Sequence, residues 1–469
     1  MSDPRPGAPL WTAKAIAAAT GGALTGADFA VRGLSIDSRE IVEGDLFVAL
    51  TAARDGHDFV PAALARGAAG ALVSRPMPGP CIEVDDTLGA LEALAAAARD
   101  RAVSARRGAV TGSVGKTSVT QAVLAGLTLA GEGHGSIRSF NNHIGVPLSL
   151  ARMPPATRRA IFEIGMNHAG EIEPLSRLVR PHAVAITTVE AVHVENFADG
   201  AAGVARAKAE IFAGLEPGGV AILNADNPWF DVLAGEARAA DAEVRAFGQS
   251  RTAFARLTDF SATPSGARVE AVVDGRPLSY ALRQTAPHWG PMSLAALLMM
   301  RALGVDLGLA LRALADFEPL AGRGAERTAK VGAGAFTLID ESYNASPVSL
   351  ASALKALGAR SVSGHRIAAL TDMLELGADA GERHRAMAPV AAEAGIDLVF
   401  CAGPLMKRLF DALDPPRRGA WAPDAQGLIP KLADAIKPGD VVMVKGSKAS
   451  KASDIAEALA AGLATGEDR

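Results

Sequence analysis

The sequence predicts an α/β protein of three domains, and three observations carry that reading. Short apolar runs alternate with helical stretches along the chain, the pattern of layers built on largely parallel sheets. At 469 residues the chain exceeds the ~100–200 residues that one core commonly organises. One apolar run enters a glycine-rich turn that opens a helix, Ala109-Val-Thr-Gly-Ser-Val-Gly-Lys-Thr-Ser118, which predicts a nucleotide-phosphate loop in a domain with a mainly parallel sheet.

The runs that read as strands are short and apolar: 70–73, 81–84, 108–110, 159–164, 183–187, 219–223, 336–339, 366–370, 398–401 and 441–444. Two composition breaks divide them. The Pro/Gly segment 75–80 and the strand after it precede an alanine-rich helix, and residues 317–324 end a helical run with Pro and Gly. The breaks predict domains of 1–86, 87–318 and 319–469.

Composition excludes several function classes. Hydrophobic residues make up 49% and charged residues 21%, a globular balance. A formal net charge of -4, with no basic run, gives no attraction to nucleic acid. Cys81 and Cys401 each stand in an apolar segment, which fits buried thiols in a reducing compartment better than a disulfide framework. The first ten residues carry no apolar signal core, and no stretch reaches the ~18 apolar residues of a membrane span. The expected location is cytoplasmic.

The loop Gly112, Ser113, Val114, Gly115, Lys116, Thr117 and Ser118 is the short G-x-x-G-K-T form, since Val110 stands where the longer pattern has glycine. Glycines let backbone N–H groups turn toward phosphate oxygens, and the following helix adds its dipole. Lys116 would reach the β- and γ-phosphates and the Thr117 hydroxyl would meet Mg²⁺. Further on, two apolar strands end in polar clusters, at Glu163-Ile-Gly-Met-Asn-His168 and at Thr187-Thr-Val-Glu-Ala-Val-His-Val-Glu195. Glu163 offers a hard cation an oxygen and His193 offers a nitrogen. Lys208, in the helical segment Ala205-Arg-Ala-Lys-Ala-Glu-Ile-Phe212, reads by itself as a solvated lysine.

Taken together, Thr111-Gly-Ser-Val-Gly-Lys-Thr117, Asn141-Asn-His-Ile-Gly-Val-Pro147, Glu163-Ile-Gly-Met-Asn-His168, His193-Val-Glu195 and Ala207-Lys-Ala-Glu-Ile-Phe212 resemble the Mur ligase family in order and spacing. The resemblance covers nearly the whole chain. It implies a small α/β N-terminal domain that grips the UDP end of a precursor, a central ATP-binding domain, and a Rossmann-like C-terminal domain that receives an amine. The strings Leu338-Ile-Asp-Glu-Ser-Tyr-Asn-Ala-Ser-Pro347, Asp372-Met-Leu-Glu-Leu-Gly377 and Val444-Lys-Gly-Ser447, with Ile36-Asp-Ser-Arg-Glu40 at the other end, are similar to the branch acting on UDP-N-acetylmuramoyl-tripeptide and D-alanyl-D-alanine. The implied protein is a monomer using ATP and Mg²⁺.

Residue roles are implied by the same resemblance. Lys116, His193 and Lys208 are the implied catalytic set, with Thr117, Glu163, His193 and a carbamylated Lys208 as the implied metal ligands. Asn141 and Asn142 are implied near the substrate phosphates and the reacting carboxylate, and Asn167 and His168 beside the metal. Ser38, Arg39, Phe47, Asp55, Gly56 and His57 are implied at the UDP end. His288, Arg323, Asp340, Tyr343, Asn344 and Pro347 are implied around the nucleotide. One departure stands out: at 288–292 the chain reads His-Trp-Gly-Pro-Met, so Trp289 and Met292 replace two asparagines usual in the family. Gly290 and Pro291 then fall where a helix should begin and are expected to disturb its start.

A carboxylate resists attack by an amine because its leaving group would be oxide, so activation by phosphorylation is the implied first step, with charge on the transferring oxygens stabilised by Lys116 and Mg²⁺. Three other readings compete: a sister ligase adding a diamino acid, a folylpolyglutamate-type synthetase, and a P-loop nucleotide switch that forms no bond. The string Asp340-Glu-Ser-Tyr-Asn-Ala-Ser-Pro347 argues against the first two.

Overall fold

The computed structural model describes residues 8–136, 139–190, 196–197, 199–263 and 266–462. Two compact units form: Met1–Thr188, Ala205–Phe247 and Ala295–Ala313 in one, Val189–Val204, Gly248–Leu294 and Leu314–Arg469 in the other.

The first unit begins with a five-stranded sheet in the order Ala23–Thr25, Cys81–Glu83, Gly70–Val73, Asp45–Val48, Gly33–Ser35. All neighbours run parallel except the outermost pair, Ala23–Thr25 and Cys81–Glu83. Its core gathers Phe47, Val60, Ala63, Val73 and Cys81. The alanine-rich segment forms the helix Thr87–Arg101, capped by the Asp86 carboxylate on the N–H groups of Leu88 and Gly89. That helix fastens the small sheet to the rest of the unit. Arg101 lays its guanidinium 3.5 Å over the Trp11 ring and donates to the carbonyls of Leu10 at 2.8 Å and Met153 at 3.1 Å. The Trp11 indole N–H donates to Ala151 at 3.0 Å.

Next comes a run of parallel strands in the order Gly133–Gly135, Arg159–Glu163, Arg106–Thr111, Ala183–Ile186, Val220–Asn224, Glu243–Gly248. The inner strands are covered on both faces, which is why they read as unbroken apolar runs. Glycines set how closely the covering helices approach: a Cβ at Gly108 would stand 2.7 Å from Met299 Sδ, and one at Gly126 only 2.1 Å from Met300 Sδ. From Arg106–Thr111 the chain runs to one edge, then crosses to the opposite side with Ala183–Ile186. The order therefore reverses at the carboxyl end of Arg106–Thr111, where open α/β sheets take ligands.

The second unit holds an antiparallel meander, Ala255–Thr263, Gly266–Val273 and Arg276–Leu282, and a six-stranded sheet. That sheet runs Ala325–Val331, Gly334–Glu341, Val441–Lys445, Arg366–Thr371, Leu398–Ala402, Arg418–Ala422, parallel except for the first pair. One face packs on Leu350, Leu354, Met387 and Leu409, the other on Leu428, Leu432, Ile455 and Leu459. Cys81 and Cys401 are buried free thiols. Among the described residues no helix is long and apolar enough to cross a membrane.

Two details differ from the sequence reading. The helix starts at Trp289 in spite of Gly290 and Pro291, because a proline in the first turn removes an N–H that has no partner within the helix. The meander and Ala325–Val331 are absent from the predicted strands because they alternate in burial rather than running apolar, and the parallel strands Glu243–Gly248 and Arg418–Ala422 are absent because they are buried only toward their ends.

Candidate active site

The phosphate loop stands at the strand reversal. Gly112 and Gly115 adopt φ of +147° and +86°, which side chains of L-residues rarely tolerate. Space is equally restrictive at Gly112, where a Cβ would lie 1.9 Å from Thr187 Oγ1. Thr187, at the end of the adjacent strand, donates through Oγ1 to the Val114 carbonyl at 2.5 Å, and Ser113 N–H donates to the Thr188 carbonyl at 2.8 Å. The loop is thus held from the next strand. Gly115 precedes the helix Lys116–Leu129, whose first turn carries Thr117 and Ser118. Lys116 Nζ folds back over the loop to the Gly112 carbonyl at 2.7 Å, and Thr117 is buried.

Glu163 closes the strand on the other side of Arg106–Thr111 and is only 1% exposed. Its Oε1 accepts Asn141 Nδ2 at 2.6 Å, and its own N–H donates to Ser136 Oγ at 2.9 Å. Oε2 is buried with no hydrogen-bond partner. A buried carboxylate oxygen without a donor is costly, and a hard cation satisfies it. Among the described residues no three His, Cys, Asp or Glu side chains gather as a metal cluster. One bare carboxylate oxygen at the end of the strand paired with Arg106–Thr111 is instead the sparse donor set that Mg²⁺ completes with phosphates and water, so the residue fits that ion.

Asn142 accepts the N–H groups of Ile144 and Gly145 at 3.2 and 2.9 Å, at the start of the helix Gly145–Ala151. Asn167 and His168 lie at the surface, where Glu171 accepts Asn167 N–H at 2.7 Å and faces His168 Nδ1 at 3.1 Å. Lys208, on the helix Ala201–Ala209, is 2% exposed rather than solvated. His193 lies outside the described residues.

At the N-terminal sheet, Ser38 and Arg39 form a 3₁₀ turn capped by Asp37. Arg39 grips the Asp37 carboxylate with two bonds of 2.9 and 2.7 Å, and this pairing, with the Arg39 N–H, holds the Asp37 pKa down at about 2. Phe47 is buried in the sheet core. His57 is also buried: Nδ1 meets Asp55 Oδ1 at 2.6 Å, and Nε2 accepts Ser74 N–H at 2.8 Å. Both ring nitrogens are spent on fixing the turn that carries Asp55 and Gly56. Sequence reasoning grouped all three as one string without separating the residue that holds from those held.

In the second unit Arg323, Asp340 and Tyr343 come together. The Asp340 carboxylate accepts Gly322 N–H at 2.8 Å, Ser342 N–H at 3.1 Å and Ser342 Oγ at 2.5 Å, while Arg323 stacks 3.8 Å over the Tyr343 ring. Asn344 accepts Ala345 N–H through its side chain, and its carbonyl receives Lys445 Nζ at 3.1 Å. Pro347 begins the helix Pro347–Gly358 behind the capping box of Ser346 and Ser349. His288 is exposed, whereas Trp289 is buried, 5.7 Å from the Phe317 ring.

Three residues quoted within the sequence strings, but given no role there, support the site. Thr187 anchors the phosphate loop. Glu210 accepts the N–H groups of Gly170, Ile172 and Glu173, capping the helix Ile172–Val179. Lys445 is buried and pairs with Glu341 at 3.3 Å. Each is polar and lies within a quoted string, Thr187 and Lys445 at the end of an apolar strand, and that placement was the available signal.

Comparison with known proteins agrees across the chain. The Mur ligase middle domain matches residues 110–300, and the Mur ligase glutamate ligase domain matches residues 326–448. UDP-N-acetylmuramoyl-tripeptide--D-alanyl-D-alanine ligase of Escherichia coli (strain K12) is 34% identical over 452 residues, covering 93% of this chain and 96% of that protein. The crystal structure of MurF from Acinetobacter baumannii superposes with a TM-score of 0.84 at 26% identity, over 96% of this chain and 99% of that one. The MurF ligase of Thermotoga maritima, solved in complex with ADP, shares the fold at a TM-score of 0.75 and 24% identity, over 92% and 97% of the two chains.

Proposed function

Because this chain belongs to the Mur ligase family, we propose that it is the ATP-dependent ligase that joins D-alanyl-D-alanine to UDP-N-acetylmuramoyl-tripeptide in cytoplasmic peptidoglycan precursor synthesis. The observation that carries the reading is a lysine-bearing phosphate loop beside a buried carboxylate with one unpartnered oxygen, both at the carboxyl ends of neighbouring parallel strands. A nucleotide switch has less use for the likeness that extends over 93% of the chain.

In this reading residues 1–86 bind the UDP precursor, 87–318 bind ATP and 319–469 receive the amine. Lys116 exchanges the Gly112 carbonyl for the β- and γ-phosphate oxygens, and the loop N–H groups orient the triphosphate. Thr117 and Glu163 would hold Mg²⁺, with His193 and a carbamylated Lys208 as ligands of a second ion. Bound there, Mg²⁺ supplies charge neutralisation to the transferring phosphoryl group. The tripeptide carboxylate takes the γ-phosphoryl group as an acyl phosphate. The dipeptide amine attacks its carbonyl, and phosphate leaves from the tetrahedral intermediate. Asn141, tied to Glu163, orients the carboxylate side of the site, and His57 acts through the turn of Asp55 and Gly56. Arg323, Asp340, Tyr343, Asn344, Pro347 and His288 line the nucleotide.

The test is an assay with ATP, Mg²⁺, UDP-muramoyl tripeptide and D-alanyl-D-alanine, with product read by mass. Phosphate release dependent on both substrates and a new amide are expected. ATP consumption without an amide would refute the reading.

A further inference from the structure

The helix Ile172–Val179 is capped from a distance. Glu171 stands at its N-cap but makes no capping bond, because its carboxylate turns back to Asn167 N–H and His168. The first N–H groups of a helix need acceptors from outside it, and here these come from 37 to 40 residues further along the chain. Glu210 Oε1 accepts Gly170 N–H at 2.7 Å, while Oε2 accepts Ile172 N–H at 3.1 Å and Glu173 N–H at 3.3 Å. One carboxylate thus meets three donors at the positive end of a helix. A serine or aspartate at 171 would satisfy such an end locally. A carboxylate brought from 210 does what a local cap cannot: it fastens two elements together.

The two elements carry charges of the candidate site. On one side, the loop that reaches Gly170 leaves from Glu163, whose Oε1 is held by Asn141 Nδ2 and whose Oε2 has no hydrogen-bond partner. Gly165 N–H donates to the Asn141 carbonyl at 2.8 Å and pins the start of that loop. On the other side, Glu210 opens the 3₁₀ turn Glu210–Gly214 directly after the helix Ala201–Ala209, and Lys208 lies two residues before it, buried. The turn is seated on the helix Ile172–Val179. Ser176 Oγ donates to the Ile211 carbonyl at 2.5 Å, and the backbones approach so closely that a Cβ at Gly214 would stand 2.1 Å from the Ser176 carbonyl.

A continuous path of fixed contacts therefore runs from Glu163 through the capped helix to Glu210 and Lys208. Both Glu210 oxygens are committed to backbone N–H groups, so this side chain acts on the reaction only through what it holds. We propose, on the strength of the ligase reading, that Glu210, backed by Ser176, is a positioning residue for phosphoryl transfer. By capping the helix that follows Glu163 from the segment that follows Lys208, it sets those two side chains at their working separation. Such constellations act only when held to roughly 0.5 Å, and a seam of three N–H groups on one carboxylate provides that tolerance.

Steady-state ligation and equilibrium Mn²⁺ binding test the assignment together. Glu210→Gln keeps the shape of the side chain and one acceptor, but sets an amide NH₂ against backbone donors. Its kcat should fall about 10- to 100-fold, the scale of losing a group that orients metal ligands, with KM for ATP and for the UDP precursor unchanged. Mn²⁺ titrated into the protein with ADP and read by electron spin resonance should bind about tenfold more weakly or worse, a readout that needs no turnover. Ser176→Ala loosens the same seam with the cap intact, and should shift kcat and Mn²⁺ affinity in the same direction. Asp424→Ala strips the cap from the distant helix Ala425–Ala435, and should lower the thermal midpoint while leaving kcat and Mn²⁺ affinity at wild-type values. Normal kcat or Mn²⁺ affinity in Glu210→Gln or in Ser176→Ala, or an equal fall of kcat in Asp424→Ala, would overturn the positioning role. Absence of ligation by wild type would remove the ligase reading itself, and the Mn²⁺ titration would then decide the role of the seam alone.

Discussion

Replacing Gly112 with alanine is the sharpest probe of how the phosphate loop is held. The substitution imposes a side chain on φ +147°, a conformation that costs about 1–3 kcal/mol. The new Cβ lies 1.9 Å from Thr187 Oγ1 and 3.1 Å from Thr187 Cβ. Thr187 must rotate and release the Val114 carbonyl, at about 1 kcal/mol for the lost hydrogen bond. The sum is ~2–4 kcal/mol, and if it falls wholly on the phosphate-binding conformation, KM for ATP rises about 30- to 1,000-fold. Nucleotide KM in the ligation assay and the thermal midpoint together read the effect. Thr187→Ala in the same background removes the closest atom and should recover ~1 kcal/mol relative to additivity. A Gly112→Ala protein with wild-type KM, or strictly additive single and double variants, would show that Thr187 does not confine the loop.

Three further outcomes are expected. Glu163→Gln keeps an acceptor for Asn141 Nδ2 and so the fold, but turnover should fall about 100-fold or more and the Mg²⁺ required for half-maximal rate should rise; an unchanged Mg²⁺ titration would count against a ligand role. His57→Ala removes the bonds to Asp55 and to Ser74 N–H, worth ~1–3 kcal/mol, and should raise KM for the UDP precursor while leaving KM for ATP alone. Burial holds the His134 pKa down at about 4 against an ordinary 6.5. The unfolded chain therefore takes up this proton first as pH falls, so the stability from neutral His134 is complete above pH 6.5 and declines toward pH 4. His134→Gln should flatten that acid limb in a series of thermal midpoints against pH.

The inner parallel strands that spell unbroken apolar runs were legible, as 183–187 and 441–444 were, whereas Glu243–Gly248 and Arg418–Ala422, parallel but buried only toward their ends, were not. The meander was not, since Arg276–Leu282 sets exposed positions between its buried Tyr280 and Leu282 and carries no run to find. Within the candidate site the loop glycines could be read because their backbone angles admit few alternatives. Glu163 could be read as a possible cation ligand, but not as a carboxylate with one oxygen bonded and one bare, because that asymmetry depends on Asn141 arriving from 22 residues away. Lys208 illustrates the opposite limit. Its own helix suggests solvent, yet the folded chain leaves it 2% exposed.

The seam around Trp11 also has an optical consequence. An indole sealed beneath a guanidinium, its N–H committed to a distant carbonyl, emits from a dry environment and should fluoresce toward the blue. Peeling the N-terminal sheet away from the body that carries the phosphate loop would wet that ring and shift its emission to the red. Of the four tryptophans in the chain, Trp11 is therefore a built-in gauge of whether the N-terminal sheet and the loop stay one piece, readable by comparing the intact protein with Trp11→Phe.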